Sequence, residues 1–312
     1  MTVTPVTPEA IEAAADRIRP LVRATPALTV PGSELGLDPS VTVTLKLELL
    51  QHSGTFKARG ASNALLTADV GDAGVVAASG GNHGAAVAWA ASVLGHRATI
   101  FVPTISAPAK VDRLRSYGAD VHQVGEVYAE SLAASVEFQR SSGAVAVHAY
   151  EDPAVVAGAG TTGRELERQA AGAAEIFVAC GGGGLAGGIA AWFGPPVTVV
   201  ACETRTTATF AAALDAGHPV DVEVSGLAAD ALGASRLGRL AWHHLSAAGA
   251  RSALVDDDEV AAAQAWLWDR FRLVTEPSAA VPIAALRSGR HDPAPGTHVA
   301  VVVCGANTSI GL

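Results

Sequence analysis

The chain has 312 residues, 49% of them hydrophobic, with a net charge of −9 and a pI near 5.5. That is length enough for two small domains or one large one around a substantial core. The acidic balance and scattered basic residues argue against nucleic acid as the main partner, since phosphate binding needs clustered Lys and Arg. No uncharged apolar run reaches the roughly 18 residues a membrane helix needs, and the N-terminus MTVTPVTPEA lacks the basic and apolar regions of a signal peptide. The expectation is a cytoplasmic protein without membrane or nucleic-acid partners. Cys180, Cys202 and Cys304 are far apart and lack metal-type spacing, so neither a disulfide framework nor a zinc site is expected. Lysine is scarce: Lys46, Lys57 and Lys110 are the only ones.

In chain order, FKARGASNALL reads as a helix with Lys57 at its start, AGVVAAS (73–79) as a buried strand and GAAVAWAASVLG (84–95) as the helix after it. RATIFVP (97–103) is a predicted strand, APAKVDRLRSYG (107–118) a helix, ADVHQVG (119–125) a strand and AESLAASVEFQRSSG (129–143) a helix. AVAVHAY (144–150) is read as a strand along its full length. EIFVAC (175–180), VTVVAC (197–202) and THVAVVVC (297–304) are nearly continuous apolar strands, as in a parallel sheet covered on both faces. The alternation predicts an α/β fold with open, doubly wound, mostly parallel sheets. The compact βα run from 74 to 148 is expected to form a small domain of its own, with 1–73 and 149–312 making up the large one.

Ligands in such sheets bind beyond the carboxyl ends of the strands. There the chain places Ser79-Gly80-Gly81-Asn82-His83-Gly84, then Gly181 to Gly184, then Cys304-Gly305-Ala306-Asn307. The four glycines lie between an apolar strand and an apolar helix, so their amides and the helix N-terminus suit a phosphate. No Gly-Lys-Ser/Thr follows, and no GxGxxG with a distant acid is kept, which speaks against a P-loop or a dinucleotide site. Lys57, in SGTFKARG, is an unfavourable charge at a helix start. Desolvation there would lower its pKa and make it nucleophilic, although on this segment alone an ordinary surface lysine is the simpler reading. The amides around Ser79, Gly80 and Gly81, with the Ser79 hydroxyl, suit a carboxylate; Asn82 could donate to a phenolate oxygen, and His83 has a supporting role. Cys304 is either a core cysteine or a ligand contact.

Together these segments resemble the fold-type II pyridoxal-phosphate enzymes (the tryptophan synthase β-like fold), in the branch of serine/threonine dehydratases and serine racemases. SGTFKARGA resembles that branch's lysine motif and SGGNHG its asparagine loop. GGGGLAGGIA resembles the phosphate loop, TEPSAA a late Glu-Pro element and VVVCGAN the element facing the pyridine nitrogen. AYEDPAVVAGAGTTGREL resembles the stretch before the phosphate loop. The resemblance implies that Lys57 carries pyridoxal 5'-phosphate as a Schiff base and shuttles the α-proton, and that Phe56 packs on the ring. It implies that Asn82 bonds the 3'-oxygen, that Gly181, Gly182, Gly183, Gly184 and Leu185 hold the phosphate, and that Cys304 faces the ring nitrogen. Ser79, Gly80, Gly81, Asn82 and His83 would surround the substrate carboxylate. Gly80 stands where racemases carry a second serine, so elimination is expected over racemisation. Near Glu203, Thr207 and Thr209 replace further metal ligands, so no metal is expected.

The implied activity is a lyase converting L-threonine or L-serine to 2-oxobutyrate or pyruvate and ammonia, in a homodimer. Racemisation, dehydration of a bulkier β-hydroxy amino acid and a catalytically silent cofactor-binding sensor remain as alternatives.

Overall fold

The computed structural model describes residues 4–308. Its strands are β1 (Ala27–Pro31), β2 (Thr42–Lys46), β3 (Val75–Ala78), β4 (Ala98–Val102), β5 (Asp120–Gln123), β6 (Val145–Ala146), β7 (Glu175–Ala179), β8 (Thr198–Thr204), β9 (Arg251–Val255) and β10 (His298–Val302). The helices that position the site are α1 (Pro8–Ile18), α2 (Lys57–Thr67), α3 (Asn82–Leu94), α4 (Pro108–Ser116), α5 (Tyr128–Ser142), α6 (Pro153–Gln169), α7 (Gly184–Phe193), α8 (Thr209–Ala216) and α9 (Ala229–Leu232).

Two sheets result. One has the order β1-β2-β10-β7-β8-β9 and the other β5-β4-β3-β6. Every pairing is parallel except that of β1 with β2. The continuous apolar strands account for this. Ile176, Phe177, Val178, Val199, Val200, Val299 and Val301 are all fully buried, as strands require when helices cover both faces. The smaller sheet has its own core, in which Val75, Ile100 and Val102 pack against the alanines of α3. Alanine suits that interface, because short side chains let helix and sheet approach closely.

The expected strand over 144–150 is much shorter, ending at Ala146. From Val147 onward the backbone carbonyls serve side chains of the site instead of a neighbouring strand. Val147 O faces His83 Nε2 at 2.8 Å, and Ala149 O accepts from Lys57 Nζ at 2.8 Å. The carboxyl ends of β3, β7 and β10 lead into the three motif loops read from the sequence, and the loop after β2 leads to Lys57.

Candidate active site

Lys57 opens α2, and its loop is fastened to the end of β10. Phe56 N donates to Cys304 O at 3.1 Å, Ala306 N to Gly54 O at 2.9 Å, and Thr55 bridges Gly305. Two residues further on, Arg59 anchors the helix from below. Its guanidinium forks onto Glu48 with two contacts of 2.8 Å and onto Glu165 at 2.8 and 3.0 Å, all in the buried interior. Lys46 completes the cluster, bonding Thr25 O and Gln169 Oε1 at 2.7 Å each and pairing with Glu165. Two cations and two carboxylates cancel, so the charges are tolerable in the core.

Lys57 has no such partner. Its side chain is half-buried, and protein packs densely around the amine. Burial brings its pKa down to about 8, against the opposing pull of the Glu276 carboxylate. The ammonium lies 5.2 Å from the centre of the Phe56 ring. A lysine tuned in this way is a usable base and nucleophile near neutral pH.

The asparagine loop lies beside it. Gly84 allows the tight turn into α3, because a Cβ there would strike the Ser79 carbonyl. Ser79 Oγ accepts from Gly81 N at 3.3 Å. A Cβ on Gly80 would meet only ordinary contacts, Val102 Cγ1 at 3.5 Å and Ser106 Oγ at 3.7 Å, so there is room for a side chain that this sequence does not supply. His83 is buried and its pKa falls to about 3, first from burial and then from the Lys57 charge. The neutral ring therefore donates from Nε2 to Val147 O, a bond that ties α3 to the 147–150 segment. Asn82 donates from Nδ2 to both oxygens of Glu276, at 2.8 and 2.9 Å.

Glu276 is a residue that the sequence reading named only as part of TEPSAA and gave no role. Buried, it also accepts from Ser278 Oγ at 2.5 Å and Asn307 N at 3.0 Å. Ser278 in turn lies 3.7 Å from Cys304 Sγ. Asn82, Glu276, Ser278 and Cys304 thus form one continuous set of contacts. Burial, with Glu276 nearby, pushes the Cys304 thiol pKa well up, so Cys304 is a neutral group there.

The glycine loop needs its glycines for different reasons. Gly183 sits at φ +81, and a Cβ on Gly182 would fall 2.5 Å from the Tyr150 ring. The first turn of α7 leaves the amides of Gly184, Leu185 and Ala186 without helical acceptors and adds the positive end of the helix dipole. The Leu185 side chain is buried in the core, so only its backbone is available to a ligand. Tyr150 and Ala149 were also missed as contacts of the site; a strand reading of their segment hid the fact that both lie beside motif loops.

Behind the glycine loop, Thr209 Oγ donates to Gly181 O at 2.5 Å. The Glu203 carboxylate accepts from Phe210 N at 2.7 Å and Ala211 N at 3.0 Å, capping α8. Burial nevertheless raises Glu203 to about 7. Both its oxygens are thus engaged by amides.

These features fit pyridoxal 5'-phosphate. The amine is buried and of lowered pKa, and the glycine cradle and helix end suit a phosphate. Asn82 Oδ1 is buried without a hydrogen-bond partner, an acceptor that a ring hydroxyl can satisfy.

Residues 18–305 match the family described as "Pyridoxal-phosphate dependent enzyme". The L-threonine ammonia-lyase of Geobacter sulfurreducens is 35% identical, over 94% of this chain and 73% of that one. Other relatives are longer: the chain spans 53% of the biosynthetic L-threonine dehydratase of Escherichia coli, at 36% identity over 86% of its own length. Among solved structures, maize serine racemase superposes with a TM-score of 0.92 at 29% identity, covering 99% of this chain and 95% of that one. The processed form of threonine deaminase isoform 2 from Solanum lycopersicum gives 0.87 at 26%, covering 99% and 87%. The lysine, asparagine and glycine motifs, their order along the chain and the fold that gathers them all agree: this chain belongs to the pyridoxal-phosphate dependent enzymes of fold-type II.

Proposed function

We propose that the protein is a dehydratase that converts L-threonine or L-serine to 2-oxobutyrate or pyruvate and ammonia. The observation that carries this reading is Lys57, an amine with pKa near 8 set between a carboxylate-binding loop and a phosphate-binding loop. When bound, the cofactor supplies an electron-withdrawing ring that stabilises charge at the substrate α-carbon.

Lys57 Nζ would be the attachment point for the cofactor, and its free amine would serve as the base for the α-proton. The amides at the start of α3, with Ser79, Gly81, Asn82 and the ordered backbone that His83 maintains, hold the substrate carboxylate. With pyridoxal phosphate bound, Phe56 would support the ring and Asn82 would bond its 3'-oxygen. Gly181 to Gly184 and the Leu185 amide would bind the phosphate, and Cys304 would offer the ring nitrogen only a neutral thiol. Gly80 supplies no side-chain acid to the opposite face, which favours loss of the β-hydroxyl over inversion at the α-carbon.

The same reading takes residues 74–148, built around the smaller sheet, as a mobile domain closing on 1–73 and 149–312. It takes the enzyme as a cytoplasmic homodimer acting on small amino acids. Among the described residues no helix is long and apolar enough to cross a membrane. The test is 2-oxo acid release from L-threonine and L-serine. Wild-type holoprotein should release it, and Lys57→Ala should lose at least about 10⁴-fold in kcat. Turnover by Lys57→Ala close to that of the wild type would overturn the assignment.

A further inference from the structure

TEPSAA is a motif whose glutamate the mechanism leaves unused, and the fold draws that residue into the site. Glu276 stands at the N-cap of the helix Pro277–Arg287 and is only 3% exposed. A carboxylate there could accept from the free amides of its own first helical turn. It makes no such bond. Its oxygens go instead to Asn82 of α3, to the Asn307 amide beyond β10 and to the Ser278 hydroxyl.

Glu48, the buried acid on the far side of α2, is matched by the Arg59 guanidinium at 2.8 Å. The hydrogen-bond partners of Glu276 among the described residues are all neutral. A buried carboxylate without a paired cation is costly, so several donors must converge on it. The chain makes room for this one, since a Cβ on Gly305 would fall 2.7 Å from Glu276 Oε1. Asn307 is held in turn by Arg113 of α4, which also donates to Ser53 O at 2.7 Å. Two helices that pack with the smaller sheet, α3 and α4, thus reach the same carboxylate, one directly and one through Asn307.

The contact with Asn82 is directional. A carboxamide has a donor end and an acceptor end, whereas a carboxylate can only accept. Glu276 therefore admits Asn82 in one orientation, with Nδ2 turned inward at 2.8 and 2.9 Å. Turned by half a rotation, Oδ1 would face two negative oxygens. The consequence is the buried Oδ1 that no protein donor reaches.

We infer that Glu276 is a positioning residue for the cofactor: it locks the Asn82 carboxamide so that Oδ1 is kept for the 3'-hydroxyl of the ring. The inference rests on the role proposed for Asn82 and on no property of the substrate. Glu276 itself touches neither ring nor substrate in this scheme; it acts through the side chain it orients.

The test is a double-mutant cycle read as the affinity of the cofactor-free protein for pyridoxal phosphate, by absorbance titration without substrate. Asn82→Ala should weaken binding by about tenfold or more, because the 3'-hydroxyl loses its partner. Glu276→Gln keeps the shape but can meet Asn82 with either end of its own amide, which frees the carboxamide to turn. It should weaken binding by about fivefold to tenfold. The double variant should bind within about twofold of Asn82→Ala, since nothing is left to orient. A Glu276→Gln protein that binds like the wild type, or a double variant as weak as the product of the two single losses, overturns the inference. Asn82→Ala at wild-type affinity overturns instead the role of Asn82 on which it depends. Should Glu276→Gln fail to fold, Asn82→Asp asks the same question from the other side. In alkaline buffer, where two facing carboxylates cannot share a proton, it should bind at least about tenfold more weakly than Asn82→Ala. Equal affinities of those two variants would overturn the inference as well.

Discussion

Two of the three lysines are enclosed by protein, and their surroundings could hardly differ more. Lys46 is fully buried at the end of β2, with two carbonyl-type acceptors and the Glu165 carboxylate around it and Glu48 at 3.9 Å. Burial lowers its pKa too, yet Glu48 and Glu165 both pull it back toward the charged form. Lys57 has one carbonyl and an aromatic face. The lesson is that burial alone does not make a lysine reactive. A buried ammonium surrounded by carboxylates is a structural cation, whereas one left without them is an amine ready to give up its proton.

That contrast predicts opposite signs for one substitution made at two places. Lys46→Met leaves Glu165 and Glu48 sharing only Arg59, and breaking a buried pair in this way typically costs about 3–5 kcal/mol. Denaturant unfolding of the cofactor-free protein should show that loss; a midpoint unchanged from the wild type would mean that the Lys46 pairs contribute nothing.

Lys57→Met should go the other way by a smaller amount. In the folded protein the Lys57 pKa is about 8 against an ordinary 10.5. The unfolded chain therefore binds more protons between those values, and wild-type stability rises with pH through that window. Below about pH 8 the folded protein carries a disfavoured charge that methionine removes. At pH 7 the cofactor-free Lys57→Met variant should gain on the order of 1–2 kcal/mol, discounted for the part of the side chain that faces solvent. The gain should fade as the pH is raised toward 10.5. A loss of stability at pH 7, or a gain that does not depend on pH, would show that Lys57 is held by contacts stronger than those seen.

Much of this was legible in the chain itself, because the signals are local. The apolar runs that became β3, β4, β7, β8 and β10 announce buried parallel strands, and the glycines after them announce loops that must turn tightly or approach a ligand. What could not be read was anything decided by distant partners. The strand expected over 144–150 stops at Ala146 because His83 and Lys57, far away in sequence, take the next carbonyls. Glu276 looked like one carboxylate among many until Asn82, Ser278 and Asn307 were brought around it. Lys46 gave no local sign of being structural, since Glu165 lies 119 residues away in the chain. Gly80 was recognisable only by resemblance; the room around it is a property of the folded loop.

The central claim, that Lys57 and not another lysine carries the cofactor, can be tested by chemical trapping. Holoprotein reduced with borohydride, digested and mapped by mass spectrometry should carry the phosphopyridoxyl group on Lys57 alone. The three lysines fall in separate stretches of sequence, so the assignment is unambiguous. A label on Lys46 or Lys110, or bound cofactor with no labelled lysine, would contradict the account.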